Sequence, residues 1–185
     1  DTEKLDVQGI CRAVIETVSE NTSDGIVAPL FYLFLGGVPL AMAYKAINTL
    51  DSMVGYKNER YINMGMASAR LDDIANFIPA RLTSFLIAIA SFITGLNPRR
   101  SLSIMLRDGR NNPSPNSGYP EASMAGALGV RLGGPSSYGG QIVEKPYIGD
   151  PEDTVTPEHI ILSTRVMYVT SLLAFITGLI IQVIL

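Results

Sequence analysis

Two adjacent aspartates, Asp72 and Asp73, lie at the entrance to an otherwise apolar stretch of the chain. Asn76 follows one helical turn after Asp72, and Arg70 and Arg81 flank the group. Paired carboxylates that enter a membrane helix repel each other unless a cation or the arginines compensate for their charge. A magnesium-phosphate site would supply this compensation, so the cluster indicates such a site. A structural cluster of arginines and aspartates is the alternative.

A lysine and an aspartate enter a second, largely apolar stretch together. If the helix predicted there continues to about Val54, Lys45 and Asn48 share one face, and Asp51 lies one turn from Asn48. This arrangement suits the binding of a charged reactant. A buried ion pair that neutralises only itself is the alternative.

Two further polar groups adjoin apolar segments. Glu20-Asn-Thr-Ser-Asp24-Gly25 places two carboxylates and three neutral side chains with oxygen atoms directly before one of them, which suits a cation or a phosphate. The same residues equally fit a helix exit followed by a capped turn. Further on, prolines favour an extended loop around Asn116, and Glu121 falls in the first turn of a helix of small residues. Alone, that stretch indicates only a structured loop.

Three apolar segments, residues 26–44, 77–96 and 166–185, must position these groups. Hydrophobic residues make up 47% of the chain and charged residues only 17%, whereas an ordinary soluble domain has roughly a quarter charged. Segments of about 20 apolar residues are long enough to span a bilayer as helices. The sequence therefore predicts an all-α, polytopic integral membrane protein of the cell membrane. Long structured loops, residues 45–76 and 97–165, connect the apolar segments.

The first apolar segment is interrupted. Pro29, Gly36-Gly37 and Pro39 break a regular helix, so we expect a broken span or a re-entrant hairpin beside a polar cavity. In the second segment, the long side chain of Arg81 would extend toward the membrane interface. One full span over residues 77–96 would place the two polar connections on opposite faces of the membrane. If they share a site, this helix stops short or the site lies within the bilayer.

Composition excludes several classes of site. The net charge of -3 leaves no positive excess to neutralise a phosphate backbone, so nucleic-acid binding is not expected. The single cysteine, Cys11, and the single histidine, His159, exclude an internal disulfide and the metal sites that need several such ligands. A bound metal must therefore be held by oxygen atoms, which favours a hard cation such as magnesium.

Taken together, the polar clusters resemble the adenosylcobinamide-phosphate synthase family of cobalamin biosynthesis, integral membrane proteins known as the CobD/CbiB family. The resemblance covers nearly the whole chain from Cys11 on, and strings this long and in this order are far more specific than any single motif. It is carried by Glu20-Asn-Thr-Ser-Asp-Gly25 with Ala28-Pro-Leu-Phe31, by residues 43–61, by residues 69–76 with Pro79-Ala-Arg81, and by Pro113-Ser-Pro-Asn116 leading to Gly129.

The resemblance implies a longer protein. Members of the family have further membrane helices toward the N-terminus, so residues 1–185 are expected to form the C-terminal part of a single membrane-embedded domain and to pack on the remainder of the same protein. The chain departs from the family pattern at Asn112, where histidine is common, and at Tyr119, where tryptophan is common. These departures weaken any catalytic role for those two side chains.

The resemblance also implies a reaction. An ATP-dependent ligase would join the carboxylate of adenosylcobyric acid to the amine of an aminoalkyl phosphate, either aminopropanol phosphate or ethanolamine phosphate, and would give adenosylcobinamide phosphate. ATP and magnesium are the implied cofactors. The expected partners are the corrinoid, the aminoalkyl phosphate and membrane lipid, with a second copy of the chain in a homo-oligomer as a further expectation. A carboxylate reacts poorly with an amine, so the site would need a cation, positive side chains to hold phosphates, and a base.

The roles implied for single residues rest on residue type and motif membership. Magnesium ligands are expected at Asp72 and Asp73, with Glu20 and Asp24 as further candidates. The base is expected at Asp51 or Glu59. Substrate and phosphate groups would be bound by Lys45, Asn48, Lys57, Arg60, Arg70, Asn116 and Glu121.

Two other functions fit parts of the pattern. A magnesium-dependent intramembrane transferase acting on a lipid diphosphate also uses aspartate pairs at helix ends, but it would need two separated aspartate-rich motifs, and only Asp72-Asp73 qualifies. A non-catalytic membrane sensor or transporter part has less need for four polar clusters.

Overall fold

The computed structural model describes residues 6–54, 62–138, 141–143 and 145–184, and within these ranges the chain is almost entirely helical. A π-helical segment, Thr22–Val27, joins the first two α-helices. The α-helices are α1 (Val7–Asn21), α2 (Ala28–Val54), α3 (Ile62–Ile93), α4 (Pro98–Asp108), α5 (Gly118–Leu128) and α6 (Pro157–Ile184), and the strands are β1 (Leu132–Gly133), β2 (Ser136–Tyr138), β3 (Gln141–Val143) and β4 (Tyr147–Ile148).

The membrane character predicted from composition is confirmed. In the described part of the chain, three helical stretches are long and apolar enough to cross a membrane: Val7–Met53, Gly65–Ile93 and Pro157–Ile184. The second begins before the apolar segment 77–96 and ends a few residues earlier, because the helix already includes the turns that carry the aspartates. The protein is therefore an all-α, polytopic membrane protein.

The break in α2 is a reversal of the chain. Gly36 and Gly37 leave the helical conformation, and Gly37 has a positive φ of 69°, which favours glycine. The rings of Tyr32 and Tyr44 stack with centroids 5.0 Å apart, whereas a continuous helix would separate these residues by about 18 Å. Of the two predicted alternatives, the re-entrant hairpin is therefore correct. Its arms are called α2a (residues 28–35) and α2b (residues 38–54).

The segment that was predicted either as a ligand site or as a helix exit with a capped turn does not leave the helix. Residues 22–27 instead form a π-helix, a wider turn that is rare and is often found at functional sites. The hydroxyl of Thr22 donates to the carbonyl of Val18 at 2.6 Å, and Thr22, Ser23 and Val27 are buried. In contrast, Asp24 is partly exposed and Gly25 is exposed.

Helices α4 and α5 run back along α3. The hydroxyls of Ser101 and Ser123 lie 2.8 Å apart, and Ser123 also donates to the carbonyl of Ser84 at 2.8 Å. Close approach is possible because α5 consists mostly of small residues: a Cβ on Gly126 would lie 2.6 Å from the carbonyl oxygen of Arg100. The loop between α4 and α5 consequently returns to Asp73, near the beginning of α3. Helix α3 can therefore span the membrane while the polar connections 45–76 and 97–165 meet at its N-terminal end.

Helix α6 packs on the hairpin and on the core. Its inward side carries Val166, Thr170, Ala174 and Gly178 at four-residue intervals. The ring of Phe34 fills the space that a side chain at Gly178 would need, and Gln182 donates to the carbonyl of Phe34 at 2.6 Å. The main core, formed with α1, α3 and α5, includes Ile15, Ile87, Ala90, Ile104, Met124, Leu128, Val130 and Val166.

The connection between α5 and α6 is anchored back onto α4. Strand β1 pairs antiparallel with β4, and β2 pairs antiparallel with β3. Asp108 accepts hydrogen bonds from Arg107 at 2.8 Å and from the Gly149 N–H at 2.8 Å. The bonds from Arg107 hold the pKa of Asp108 below its ordinary value. This anchoring places β1 beside α1, where the Gly133 N–H donates to the Glu16 carboxylate at 2.7 Å.

Candidate functional site

A hydrogen-bonded network joins the π-helix, α2b and α3. The buried hydroxyl of Tyr44 lies 2.8 Å from Asn76 Oδ1 and 3.1 Å from the carbonyl oxygen of Asp24. Asn76 Nδ2 in turn donates to Asp72 Oδ2 at 2.9 Å. Because Asn76 is 1% exposed, its amide is oriented by these two partners and not by solvent. The network therefore fixes the position of the Asp72 side chain relative to the backbone at Asp24.

Asp72 is held from the hairpin side as well. Asn48 Nδ2 donates to Asp72 Oδ1 at 3.3 Å, and Lys45 Nζ donates to Asn48 Oδ1 at 3.3 Å. Each carboxylate oxygen of Asp72 thus accepts one amide hydrogen bond and keeps further acceptor capacity. The predicted shared face of Lys45 and Asn48 on this helix is confirmed.

These groups border an open cavity of about 250 Å³, which we call the polar pocket. It is lined by Glu20, Asn21, Asp24, Gly25, Lys45, Asn48 and Ser52. Two of these side chains are carboxylates and one is an ammonium group, and the negative charge of Asp72 acts on both carboxylates from behind the lining. A ligand with a positive group opposite the carboxylates and a negative group opposite Lys45 would complement this charge distribution.

The donor atoms of the polar pocket fit a magnesium ion only in part. Among the residues that the structure describes, no three histidine, cysteine, aspartate or glutamate side chains are arranged to hold a metal ion. Magnesium, however, commonly binds through one or two carboxylates and completes its shell with water and substrate phosphates. Glu20 and Asp24 offer two carboxylates at one cavity, so the oxygen donors present are compatible with this mode. The magnesium ligands remain a prediction.

Several predicted residues lie outside the polar pocket. Asp51 is half-buried near Asp72 and Asp73 but does not line the cavity. Asp73 presents its carbonyl oxygen to Asn116, which donates at 2.8 Å. Arg70 is exposed and within electrostatic range of Asp73. The remaining predictions in this part of the chain, Lys57, Glu59 and Arg60, lie outside the described residues.

Arg81 contacts side chains of α3 and of the segment that follows α4, and its expected position at the membrane interface stays a prediction. Its guanidinium lies 3.6 Å from the centroid of the Phe77 ring and 4.3 Å from that of the Tyr119 ring. Arg81 Nη1 also donates to Asn116 Oδ1 at 3.3 Å. The two aromatic rings and the amide oxygen stabilise the positive charge of the guanidinium. Asn116 is 4% exposed and is hydrogen-bonded to Arg81 and to the carbonyl oxygen of Asp73. The described contacts therefore give Asn116 the structural role of holding the loop against α3.

Glu121 faces a second, smaller cavity of about 30 Å³. The cavity is also lined by Glu16, Lys145 and Asn112. Asn112 Nδ2 donates to Glu121 Oε2 at 2.9 Å. Burial raises the pKa of Glu121 to about 8, and the negative charge of Glu16 adds to the rise, while the bond from Asn112 and the charge of Lys145 oppose it. Around neutral pH this carboxyl therefore carries a proton for much of the time.

Sequence reasoning missed Tyr44, which connects the elements of the site. Its neighbour Lys45 was selected for its charge, whereas a tyrosine at the end of an apolar segment is usually part of a core. Glu16 was missed for a similar reason, since it reads as one charge on an amphipathic helix. The spacing of Glu16 and Glu20, one helical turn apart and facing the two polar cavities, was the available signal.

Comparisons with known proteins find relatives over almost the whole chain. The family described as CobD/Cbib protein matches residues 1–167. Cobalamin biosynthesis protein CobD of Citrobacter koseri is 58% identical over 174 residues, 94% of this chain and 54% of that protein. The CobD of Clostridium perfringens is 53% identical over 185 residues, 100% of this chain and 59% of that protein.

A relative with the other family name is equally similar. Cobalamin biosynthesis protein CbiB of Salmonella typhimurium is 56% identical over 174 residues, 94% of this chain and 54% of that protein. The chain therefore spans little more than half the length of these curated relatives. No solved structure matches it.

Proposed function

The chain belongs to the CobD/CbiB protein family, and we propose that the complete protein acts in cobalamin biosynthesis as an ATP-dependent ligase. It would join the carboxylate of adenosylcobyric acid to the amine of an aminoalkyl phosphate and give adenosylcobinamide phosphate. The names of the relatives support the pathway. The polar pocket supports the reaction, because its volume and charges match a small molecule with a positive and a negative end.

An aminoalkyl phosphate carries an ammonium group at one end and a phosphate at the other. In the proposed complex, Lys45 binds the phosphate through its positive charge, with hydrogen bonds from Asn48 and Ser52. Glu20 and Asp24 line the same pocket, where they would attract the ammonium group. The charge distribution thereby orients the substrate as well as holding it.

The amine must lose a proton before its nitrogen can attack the activated carboxylate. Asp51 or Glu59 was the predicted base. Asp51 does not line the polar pocket, Glu59 lies outside the described residues, and the carboxylates that line the pocket are Glu20 and Asp24. We therefore assign the proton-accepting role to this pair. A base within hydrogen-bond reach can take the first proton from the ammonium group before the attack and the second proton as the carbon-nitrogen bond forms.

ATP would transfer a phosphoryl group to the corrinoid carboxylate and leave ADP, and the attacking amine would then displace that group as phosphate. Magnesium, where bound, would neutralise phosphate charge. Of Glu20 and Asp24, the carboxylate that does not accept the proton would be left to hold the ion. Asp72 then serves as the acceptor that fixes Asn48 and Asn76, and through Asn48 it orients Lys45.

Product formation by the full-length protein in detergent tests this proposal. Adenosylcobyric acid, ATP, magnesium and one aminoalkyl phosphate are incubated with the protein, and adenosylcobinamide phosphate is measured by chromatography and mass spectrometry. Omission of ATP or of the amine should abolish the product. Binding of the corrinoid without coupling of any aminoalkyl phosphate would favour a sensor, and transfer to or from a lipid diphosphate would favour the intramembrane transferase.

A further inference from the structure

Gly25 lies in the lining of the polar pocket without a local structural requirement for glycine. Its φ is outside the positive range in which glycine is favoured. Among the residues that the structure describes, a Cβ built at this position would have only the side chain of Asn21 within 4 Å, with Oδ1 at 3.6 Å and Cβ at 3.8 Å. These are ordinary contact distances. Neither the backbone conformation nor the packing of the protein therefore excludes alanine here.

Other glycines in the described chain differ in this respect. A Cβ on Gly126 would meet the carbonyl oxygen of Arg100 at 2.6 Å, and one on Gly178 would overlap the ring of Phe34. Glycine is also the least favourable residue inside a helix apart from proline. A glycine with free space beside it in a helical segment thus requires a reason outside the packing of the protein.

The position of Gly25 supplies that reason. It directly follows Asp24 and lines the same pocket as Glu20 and Lys45. In the proposed complex the carbon chain of the aminoalkyl phosphate runs between the carboxylates and Lys45. A side chain at position 25 would occupy space in the polar pocket, whereas glycine leaves that space to the ligand.

We propose that Gly25 is a specificity-determining residue, which gives the polar pocket room for a methyl branch on the carbon chain between the amine and the phosphate. This inference rests on the proposed function, since it concerns the aminoalkyl phosphate of that reaction. The wild-type pocket accepts the branched substrate, and a methyl group on residue 25 competes with the methyl group of the substrate for the same space.

The test compares two substrates that differ by one methyl group, 1-amino-2-propanol phosphate and ethanolamine phosphate, in the full-length wild type and in Gly25→Ala. The ratio of kcat/KM for the branched over the unbranched substrate should fall about 10-fold or more in the variant, the range expected for one methyl group in a pocket. Gly9→Ala, which changes a glycine of α1 about three turns before Glu20, should leave the ratio unchanged. Thermal unfolding in detergent should show that Gly25→Ala is folded.

Equilibrium binding of each aminoalkyl phosphate, measured by calorimetry without corrinoid or ATP, separates this inference from the proposed reaction. A wild type that binds the amines but never couples them contradicts the ligase, while a tenfold fall in the ratio of affinities in Gly25→Ala still supports the role of Gly25. An unchanged ratio in both assays overturns the inference even if the ligase is active. A wild type that neither binds nor couples either amine overturns both.

Discussion

The hydroxyl of Tyr44 lies 2.8 Å from Asn76 Oδ1, and this contact ties the returning arm of the re-entrant hairpin to α3. The two residues are 32 positions apart, and both side chains are almost completely buried. The bond orients the Asn76 amide toward Asp72. The position of the Asp72 carboxylate therefore depends, through Asn76, on the hydroxyl group of Tyr44 on α2b. Loss of this hydroxyl should affect the chemistry more than the stability of the fold.

Tyr44→Phe tests this relation against a closely matched control. The hydroxyl of Tyr32 donates to the carbonyl of Ala75 at 2.8 Å, so Tyr32→Phe also removes one tyrosine hydrogen bond to α3 but leaves the Asn76-Asp72 pair intact. Each variant should lose about 1 kcal/mol of stability. Only Tyr44→Phe should reduce kcat, by about tenfold or more, in an amide-forming assay. Equal kinetic losses in both variants would show that the hydroxyl of Tyr44 has only a structural role.

Asp72→Asn should abolish amide formation while the protein remains inserted in the membrane. Both carboxylate oxygens of Asp72 accept hydrogen bonds from amide groups, and an amide at this position would turn an N–H donor toward Asn48 or Asn76. We expect a fall in kcat/KM of about 100-fold or more, equivalent to about 3 kcal/mol. Asp153→Asn, at an exposed position, is the control. Near-normal turnover by Asp72→Asn would remove this aspartate from the mechanism.

The buried carboxyl of Glu121 should make stability depend on pH. Its pKa is raised from 4.5 to about 8 in the folded protein, so folding favours the protonated form. The resulting stabilisation is complete below about pH 4.5 and is lost as the pH rises through about 8. Glu121→Gln is permanently neutral and retains it. The melting temperature of this variant minus that of the wild type should therefore increase by several degrees between about pH 5 and about pH 9.

Melting curves of the detergent-solubilised protein provide this measurement. Glu158→Gln, at an exposed position, should change little over the same range. A constant difference between Glu121→Gln and the wild type at every pH would mean that Glu121 is ionised in the folded protein and that its pKa is not raised.

Gly126→Ala should loosen the contact between α4 and α5. The added Cβ would lie 2.6 Å from the carbonyl oxygen of Arg100, and this backbone cannot move without disturbing the bonds between Ser101 and Ser123. Overpacking of this kind costs about 1–3 kcal/mol, so the melting temperature should fall clearly. Gly25→Ala is the matched comparison, because its methyl group has free space. Equal stability of the two variants would contradict the close packing of α5.

Local spacing was enough to predict part of the site. The interval between Asp72 and Asn76 places both side chains on one face of α3, and they are hydrogen-bonded. The interval between Lys45 and Asn48 does the same on α2b. Such pairs depend only on the helical repeat, so they can be read from the sequence. The membrane-spanning segments follow equally from the length of the apolar runs.

The relations between helices could not be predicted in the same way. Gly36-Gly37 indicates a break but not the direction of the chain after it, and that direction brings Tyr44 to Asn76. The π-helix at residues 22–27 has no periodicity signal of its own, because its register is set by packing against the rest of the fold. The contacts of Arg81 with Tyr119 and Asn116 were not predicted either, since nothing in its local sequence shows that these residues would reach it from a distant part of the chain.

The central claim is that the polar pocket binds the aminoalkyl phosphate through Lys45. Its most direct test is the KM for that substrate in full-length Lys45→Ala, with Arg99→Ala as a control at an exposed position outside the pocket. We expect the KM to rise about tenfold or more in Lys45→Ala, because a charge-assisted contact to the phosphate is lost, and to remain unchanged in Arg99→Ala. Wild-type values of both KM and kcat in Lys45→Ala would contradict the account.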